Sequence, residues 1–199
     1  MKIAALVLAG GQARRLGGGD KPLLDLGGQP ILTHILDRLA RQAIGGQPMP
    51  VAISANGDPT RFLVFGLPVL ADGRFAGEGP LAGLLAGLDW AAGQGAEALL
   101  SVPGDTPFIP RDLAAALAPP PACAASNGRR HNLAALWPVA ARTALRGQLG
   151  AGGPRDVAGF AASIGMRTVA FPVTPWDPFL NINTPDDLAN AGRIMEQMQ

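Results

Sequence analysis

The segment Ile3–Leu24, IAALVLAGGQARRLGGGDKPLL, joins a continuous apolar run to a loop rich in glycine and in positive charge. The run Ile3–Ala9 contains no polar residue, which is typical of a central parallel strand covered on both faces. The loop that follows carries glycines together with Arg14, Arg15 and Lys21. Glycine-rich backbone can present N–H groups to phosphate oxygens, and the cations would neutralise them. The segment therefore predicts an anion-binding turn after the first strand, with an ordinary surface turn as the alternative.

The composition is that of a globular protein with no overall preference for polyanions. The chain has 199 residues, of which 48% are hydrophobic and 16% charged, and its formal net charge is +1. This length suffices for one good-sized core, so a single domain over residues 1–199 is expected. Near-neutrality gives the chain no general reason to bind nucleic acid or an anionic membrane, so any anion site must be local.

The N-terminal segment is predicted to be a buried strand and not a targeting signal. A lysine followed by an apolar stretch imitates a secretory signal, but basic residues follow quickly without a small-x-small cleavage site. No run approaches the roughly 18 uncharged apolar residues that a membrane helix needs, so a cytoplasmic protein is expected. The single cysteine, Cys123, excludes an internal disulfide and a Cys-rich zinc site and is predicted to be a core residue.

The rest of the chain alternates strand and helix patterns, which predicts a three-layer α/β domain with a mainly parallel mixed sheet. Pro80 suits the first position of a helix, and Thr184 suits an N-cap. Gly83 and Gly87 would weaken a helix, so they suggest close packing against the sheet. The expected helices are 30–43, 79–93, 110–118, 155–162 and a last one after Thr184; the expected strands are 50–56, 67–72, 97–105, two within 122–138 joined by an Asn127-Gly128 type I′ turn, and 168–171.

Four of these strands are followed by a glycine or polar residue at the same end. Each residue alone is an ordinary turn former. Ligands of open α/β sheets bind beyond the carboxyl ends of the strands, so together they predict a crevice there. The residues are Gly10 with Gly11, Asn56, Asp72 and Asp105.

The glycine-rich loop fails the two common nucleotide fingerprints. It has no G-x-G-x-x-G spacing, and Lys21 is followed by Pro22 where a Walker A motif requires Ser or Thr. Asp105 could nevertheless hold Mg²⁺, which commonly takes one or two carboxylates plus substrate phosphates.

Several motifs together resemble the molybdenum cofactor guanylyltransferase family over nearly the whole chain, from Val7 to the final helix. They are LAGG at 8–11, DKPLL at 20–24, Asn56, Asp72 followed by GPLAGL at 79–84, PGDTPF at 103–108 and NINTP at 181–185. The resemblance implies a Rossmann-like nucleotidyltransferase fold. It also implies transfer of GMP from GTP to the terminal phosphate of the molybdopterin cofactor, with release of pyrophosphate.

The resemblance also implies roles for individual residues. Backbone from Leu8, Ala9, Gly10 and Gly11 would contact the nucleotide. Lys21, with Arg15, would bind phosphate, and Asp105 would ligate Mg²⁺. Asn56 and Asp72 would hold the base and ribose, while Asn181 and Asn183 would serve the metal or the acceptor. Asn132 stands where the family pattern has proline, on the acceptor side.

The scarcity of histidine fits this chemistry. A phosphate monoester has a second pKa near ~6, so the nucleophile arrives ionised and needs no general base. The protein must supply alignment and positive charge. His34 is expected on a solvated helix face. His131, beside Arg129 and Arg130, is either a solvated hairpin tip or a contact for the acceptor.

Two alternative functions remain at this stage. One is a related enzyme with another base or acceptor, such as a molybdopterin cytidylyltransferase or a sugar-phosphate nucleotidyltransferase. The other is a non-catalytic adaptor that binds nucleotide or cofactor, which would have no need for both Lys21 and Asp105. Cofactor-delivery proteins or molybdoenzyme chaperones are expected as partners.

Overall fold

A computed structural model describes residues 1–10, 18–42 and 48–198, which form a seven-stranded sheet with helices on both faces. The strands are β1 Ile3–Leu8, β4 Val51–Ser54, β5 Val69–Leu70, β6 Ala98–Pro103, β7 Ala122–Ser126, β8 Arg129–Pro138 and β9 Arg167–Ala170, and a separate hairpin contains β2 Asp25–Leu26 and β3 Gln29–Pro30. The helices are α1 Ile31–Leu39, α2 Pro80–Gly93, α3 Leu113–Leu117, α4 Ala141–Gly150, α5 Val157–Ser163 and α6 Pro185–Gln197. The sheet order is β5-β4-β1-β6-β8-β7-β9, and of these seven strands β8 alone runs against the others.

Alternating side chains of the central strands divide the core into two layers, as period-two geometry requires. Ile3, Ala5 and Val7 of β1 pack with α1, α3 and α6 on one face. Ala4 and Leu6 pack with α2, α4 and α5 on the other face. The predicted three-layer α/β architecture with a mainly parallel mixed sheet is thus confirmed.

Several local predictions are confirmed in detail. Helix α2 begins at Pro80. Helix α6 begins with a capping box in which Thr184 and Asp187 satisfy each other's backbone N–H groups. Asn127 and Gly128 both have positive φ, 48° and 72°, as a type I′ turn requires. Cys123 is completely buried.

Other local predictions are wrong in extent. Helix α3 begins at Leu113 and not at Pro110, because the intervening residues form a turn and Asp112 has a non-helical φ of −114°. Helix α5 is Val157–Ser163, since Asp156 caps it through the amides of the two residues that follow Val157. The last residue of the predicted 30–43 helix, Ala43, lies outside the described residues.

The β2–β3 hairpin and helix α4 have no counterpart in the sequence-based prediction. The β2–β3 hairpin has only two residues in each strand. Helix α4 has no capping side chain at Ala140 and contains two glycines, so its local signal is weak. It forms because Ala141, Leu145 and Leu149, spaced four apart, are buried in the layer that contains α2.

Both histidines are less exposed than expected. His34 is half-buried, and its Nε2 lies 2.8 Å from the Leu26 carbonyl oxygen. His131 is half-buried within β8. No described helix is long and apolar enough to cross a membrane.

Strand β8 contains an irregularity beside the carboxyl end of β6. Cys123 pairs with Ala135 whereas the next residue, Ala124, pairs with His131, so residues 132–134 have no partner in β7. This bulge contains Asn132, at the position where the family resemblance expects proline. A bulge leaves a backbone N–H without a ladder partner, which explains why proline would be tolerated there.

A close contact between α2 and β1 provides a test of the packing. A Cβ at Gly87 would overlap Leu6 Cδ2 and lie 3.1 Å from Leu6 Cγ and Cδ1. Leu6 is fully buried, so it has no room to move. Gly87→Ala should therefore lower the free energy of unfolding by about 1–3 kcal/mol in urea denaturation, despite the higher helix propensity of alanine.

Gly93, in the same helix, is the matched control because nothing lies within 4 Å of its Cβ position. Gly93→Ala should leave the free energy of unfolding unchanged or raise it by up to about 1 kcal/mol. Equal urea midpoints for the two variants would contradict the close packing of α2 on β1.

Candidate functional site

A cavity of about 470 Å³ lies at the carboxyl ends of the central strands. Its position follows from register: Leu8 at the end of β1 pairs with Ser54 of β4 on one side and with Pro103 of β6 on the other. The lining residues are Leu8, Gly10, Lys21, Pro22, Ser54, Ala55, Asn56, Asp72, Gly77, Gly79, Pro80, Pro103, Gly104, Asp105, Leu133 and Asn181.

An ion pair forms one end of the cavity. The Lys21 Nζ lies 3.0 Å from Asp105 Oδ2, and the two side chains are only 15% and 17% exposed. Lys21 belongs to a 3-10 turn, Lys21–Leu23, after the glycine-rich loop. Asp105 follows β6 directly. Lys21 and Asp105, both predicted as site residues, line the same cavity and are in direct contact.

The segment before α6 completes this end of the cavity. Asn181 Nδ2 donates to Asp105 Oδ1 at 2.9 Å, and the Ile182 N–H donates to the Asp105 carbonyl at 2.9 Å. Lys21 Nζ also donates to Asn183 Oδ1. Asn183 therefore supports the ion pair, although it does not line the cavity.

The start of α6 fixes Asn183 in turn. The N–H of Asn183 donates to Asp187 Oδ2 at 2.9 Å. Burial raises the pKa of Asp187, but hydrogen bonds from Asn183 and Thr184 and the nearby charge of Lys21 lower it more. The pKa thus lies below its ordinary value, and the carboxylate is ionised at neutral pH.

An amide–carboxylate pair forms a second part of the cavity wall. Asn56 Nδ2 donates to Asp72 Oδ2 at 2.5 Å, and the Asp72 N–H donates to Asn56 Oδ1 at 3.0 Å. The two residues follow β4 and β5, as predicted. This reciprocal pairing fixes the orientation of the Asp72 carboxylate.

The backbone between these features is tightly packed. Gly104 N–H donates to the Leu8 carbonyl at 2.9 Å. A Cβ at Gly104 would lie 2.8 Å from Pro22 Cγ, 3.0 Å from the Leu8 carbonyl oxygen and 3.2 Å from Ala9 Cα. The glycine of PGDTPF therefore permits the close approach of the Lys21 turn to β6.

Leu8 and Ala9 were predicted to contact the nucleotide through their backbone, and in the structure backbone groups of both form hydrogen bonds to neighbouring segments. The Ala9 N–H donates to the Ser54 carbonyl at 2.8 Å, and Ala9 is completely buried and absent from the cavity lining. Leu8 lines the cavity, and its carbonyl accepts from the Gly104 N–H. Gly10 lines the cavity as predicted. Gly11 and Arg15 lie outside the described residues.

Sequence reasoning missed several lining residues. Ser54 is 4% exposed and lines the cavity. Its location at the end of β4, two residues before Asn56, is the signal that could have identified it. Leu133 reaches the cavity from the β8 bulge, which the sequence pattern does not reveal.

The donor set at the ion pair suits a hard cation with few protein ligands. Asp105 contributes a carboxylate and Asn181 contains an amide oxygen, both of which are ligand types that Mg²⁺ accepts. Within the described ranges, no group of three or more His, Cys, Asp or Glu side chains could hold a metal ion. A Mg²⁺ ion at Asp105 would therefore need substrate phosphates to complete its coordination.

Comparisons with known proteins agree with this geometry. Residues 5–164 match the family model described as the MobA-like NTP transferase domain. The chain is 58% identical over 193 residues to the molybdenum cofactor guanylyltransferase of Acidiphilium cryptum (strain JF-5), covering 96% of this chain and 95% of that protein.

Two solved structures share the fold at low sequence identity. Molybdopterin-guanine dinucleotide biosynthesis protein A from Archaeoglobus fulgidus superimposes with a TM-score of 0.71 at 21% identity, covering 100% of both chains. A nucleotidyl transferase from Methanothermobacter thermautotroptrophicus gives a TM-score of 0.75 at 17% identity, covering 100% of this chain and 99% of that one.

The close approach at Gly104 predicts that even a methyl group there disturbs the site. Gly104→Ala should lower the melting temperature, because two of the three atoms that the methyl group meets belong to the backbone of β1 and its continuation. A crystal structure of the variant should show the Lys21 Nζ to Asp105 Oδ2 distance lengthened beyond 3.0 Å.

Gly10→Ala is the matched control for stability, since Gly10 also lines the cavity but has nothing within 4 Å of its Cβ position. Its melting temperature should equal that of the wild type. A Gly104→Ala protein with wild-type melting temperature and an unchanged ion pair would show that the Lys21 turn does not depend on this contact.

Proposed function

Because the chain belongs to the MobA-like NTP transferase family, we propose that it transfers GMP from GTP to the phosphate of the molybdopterin (molybdenum) cofactor. The products are the guanine dinucleotide cofactor and pyrophosphate. The chain is a nucleotidyltransferase by family, and the choice of GTP and of this acceptor is the proposal. Its close sequence relatives of known name support that choice.

The Lys21–Asp105 pair in the cavity is the observation that carries the proposal. Nucleotidyl transfer forms a bond between an acceptor phosphate oxygen and the α-phosphorus of the nucleotide. It breaks the bond from that phosphorus to the oxygen that bridges to the β-phosphate. Negative charge grows on the departing pyrophosphate, so a cation and a carboxylate able to bind Mg²⁺ must lie side by side. Lys21 and Asp105 are in that relation, 3.0 Å apart.

In this proposal Lys21 exchanges partners when the nucleotide binds. In the structure its charge is matched by Asp105, and a triphosphate offers stronger, multiply charged acceptors. Bound Mg²⁺ would supply further positive charge to the phosphates, with Asp105 and Asn181 as the residues that would hold it. Arg15 and the backbone of Gly10 and Gly11 are proposed to contact the same phosphates.

The reaction needs no histidine base. The acceptor is a phosphate monoester whose second pKa is near ~6, so its oxygen is already ionised at neutral pH. Neither His34 nor His131 is among the described residues that line the cavity. Alignment of the two substrates and stabilisation of charge are therefore the contributions expected of the protein.

The Asn56–Asp72 pair is proposed to bind the nucleoside. Asn56 holds the Asp72 carboxylate through one hydrogen bond and the Asp72 backbone N–H through a second. A fixed carboxylate can accept from both guanine donors, N1–H and the exocyclic amine, whereas cytosine cannot offer that pair. Ser54, at the end of β4, also lines the cavity and would offer its hydroxyl for a further contact to the base.

The remaining expectations form part of the same proposal. The chain works as a single nucleotidyltransferase domain in the cytoplasm, and it exchanges cofactor with delivery proteins or molybdoenzyme chaperones. Both core layers share one sheet, which supports the single domain.

Removing the charge of Asp105 should abolish most turnover. We expect Asp105→Asn to lower kcat for pyrophosphate release from GTP, Mg²⁺ and molybdopterin by about 10²–10³-fold, because the metal would lose the charged ligand that Asp105 provides. Asp89→Asn is the control: Asp89 is exposed and pairs with Arg146 on α4. Near-normal turnover of Asp105→Asn at saturating Mg²⁺ would refute the metal assignment.

Nucleobase preference should depend on Asp72. A ligand that binds only the folded state raises the melting temperature, so wild-type protein with Mg²⁺ should be stabilised more by GTP than by ATP or CTP. Asp72→Asn should reduce this difference, since the amide presents one acceptor oxygen and an N–H₂ that repels the guanine donors. If the GTP preference is unchanged in the variant, Asp72 serves the ribose or the fold.

A further inference from the structure

A second polar cluster lies outside the cavity, where three parts of the chain meet. We name it the Ser126 network: Ser126 at the end of β7, His131 in β8, and Asp177 in the segment 171–184 between β9 and α6. The Ser126 Oγ lies 2.7 Å from His131 Nε2 and 2.7 Å from Asp177 Oδ1. Ser126 is 3% exposed. His131 is thus part of a partly buried network and not a solvated hairpin tip.

The three residue types are those of a hydrolytic triad, but their hydrogen bonds are connected differently. In a triad the carboxylate orients the histidine, which takes the serine proton. Here the Ser126 hydroxyl has one proton, and the Asp177 carboxylate can only accept, so the hydroxyl donates to Asp177. Its oxygen then accepts from His131 Nε2–H. A serine held in this way is not a nucleophile, and its effect is to fix Asp177.

His131 is suited to this donor role. Burial lowers the pKa of His131, Asp177 raises it and Arg129 lowers it, which leaves it below its ordinary value. The ring is therefore neutral at neutral pH and carries its proton on Nε2. The same ring stacks on Phe179 with centroids 4.8 Å apart, and Phe179 is 2% exposed.

The network adjoins the residues that reach the cavity. Phe179 N–H donates to Asp177 Oδ1 at 2.9 Å, so the carboxylate binds Ser126 and the segment at once. Two residues later, Asn181 donates to Asp105, and Asn183 accepts from Lys21. A displacement of Asp177 would therefore also move Asn181 and Asn183, which contact the ion pair.

The segment 171–184 contains no helix or strand, and the buried side chains of Phe179 and Ile182 hold it against the core. Its backbone is bonded to the sheet at its start, where Phe171 N–H donates to the Ala125 carbonyl, and again at Ile182. Residues 172–175 are exposed, and Trp176 and Leu180 pack only partly against the core. Among the described residues, the Ser126 network is the hydrogen-bonded link from the middle of the segment to the sheet.

We propose that the Ser126 network positions Asn181 and Asn183 at the ion-pair end of the cavity. The network thereby sets the affinity of the cavity for a metal–nucleotide complex. Its members are positioning residues, because they act through the segment and do not line the cavity. The expected effect on turnover rests on the proposed function. The effect on metal-dependent binding can be measured without turnover.

Two variants break the network at different points. Ser126→Ala removes the hydroxyl, and Asp177→Ala removes the carboxylate from a less buried position, which keeps the test informative if the first variant folds poorly. Asp177→Asn retains an acceptor oxygen and is the conservative variant. Cys123→Ala is the matched control for lost packing, since Cys123 is buried in the same strand but faces the opposite layer.

The measurement separates the contribution of the metal from that of the nucleotide. Calorimetric titration gives the affinity for a GTP analogue with a methylene group between the α- and β-phosphates, once with Mn²⁺ and once in EDTA. We expect both loss variants to reduce the metal-dependent gain in affinity by about 10–100-fold and to lower kcat similarly. The affinity in EDTA should change little, because the Asn56–Asp72 pair is not altered, whereas the KM for GTP measured with Mg²⁺ should rise as the metal-dependent affinity falls. Asp177→Asn should recover most of both losses.

The results that would overturn the proposal are distinct. If the loss variants lower only the melting temperature while the metal-dependent gain and kcat stay at wild-type values, the network is structural and not positional. If Cys123→Ala reproduces the kinetic losses, general destabilisation explains them and the proposal fails. If wild-type protein shows the metal-dependent gain but releases no pyrophosphate with GTP and molybdopterin, the proposed function fails, and the binding experiment still decides on the network.

Discussion

The close approach of two strand ends is the constraint on which the site depends. The Gly104 N–H donates to the Leu8 carbonyl, and the absence of a side chain at Gly104 lets the turn that contains Lys21 pack against the end of β6. Lys21 then meets Asp105, 84 residues later in the chain. The central ion pair is therefore a consequence of backbone packing as much as of opposite charge, which alone is worth little near the surface.

The chemistry of the cavity follows from the separation of two kinds of polar group. Opposite charges and amides meet after β1 and β6, which suits a triphosphate and a divalent cation. A rigid amide–carboxylate pair follows β4 and β5, which suits the hydrogen-bonding edge of a nucleoside. The parallel strands impose this order because their carboxyl ends share one edge of the sheet. A nucleotidyltransferase needs both ends, and substrate choice is decided by the details of each.

The antiparallel strand β8 helps to position the segment 171–184. Its bulge brings Leu133 to the cavity, and beyond the bulge His131 contacts Ser126 and Phe179. The segment before α6 consequently contacts Ser126 of β7 and His131 of β8 at one point, and the ion pair at another. The capping box of α6 then fixes Asn183 through Asp187. The β8 bulge, the contacts of Ser126 and the capping box of α6 thus all help to position Asn181 and Asn183.

The sequence by itself determined the strand β1, the start of α2 at Pro80, the cap of α6, the Asn127-Gly128 turn and the edge at which Asp105 and Asp72 gather. These features depend on short-range patterns, namely periodicity, caps and turn residues. Only the tertiary structure decided that the Ala9 N–H would donate to the Ser54 carbonyl, that α4 would form on a weak local signal, and that Ser126 would donate to Asp177. The physical reason is that each of these depends on contacts between residues distant in sequence, whose meeting is set by strand order, a register shift and packing that no local pattern encodes.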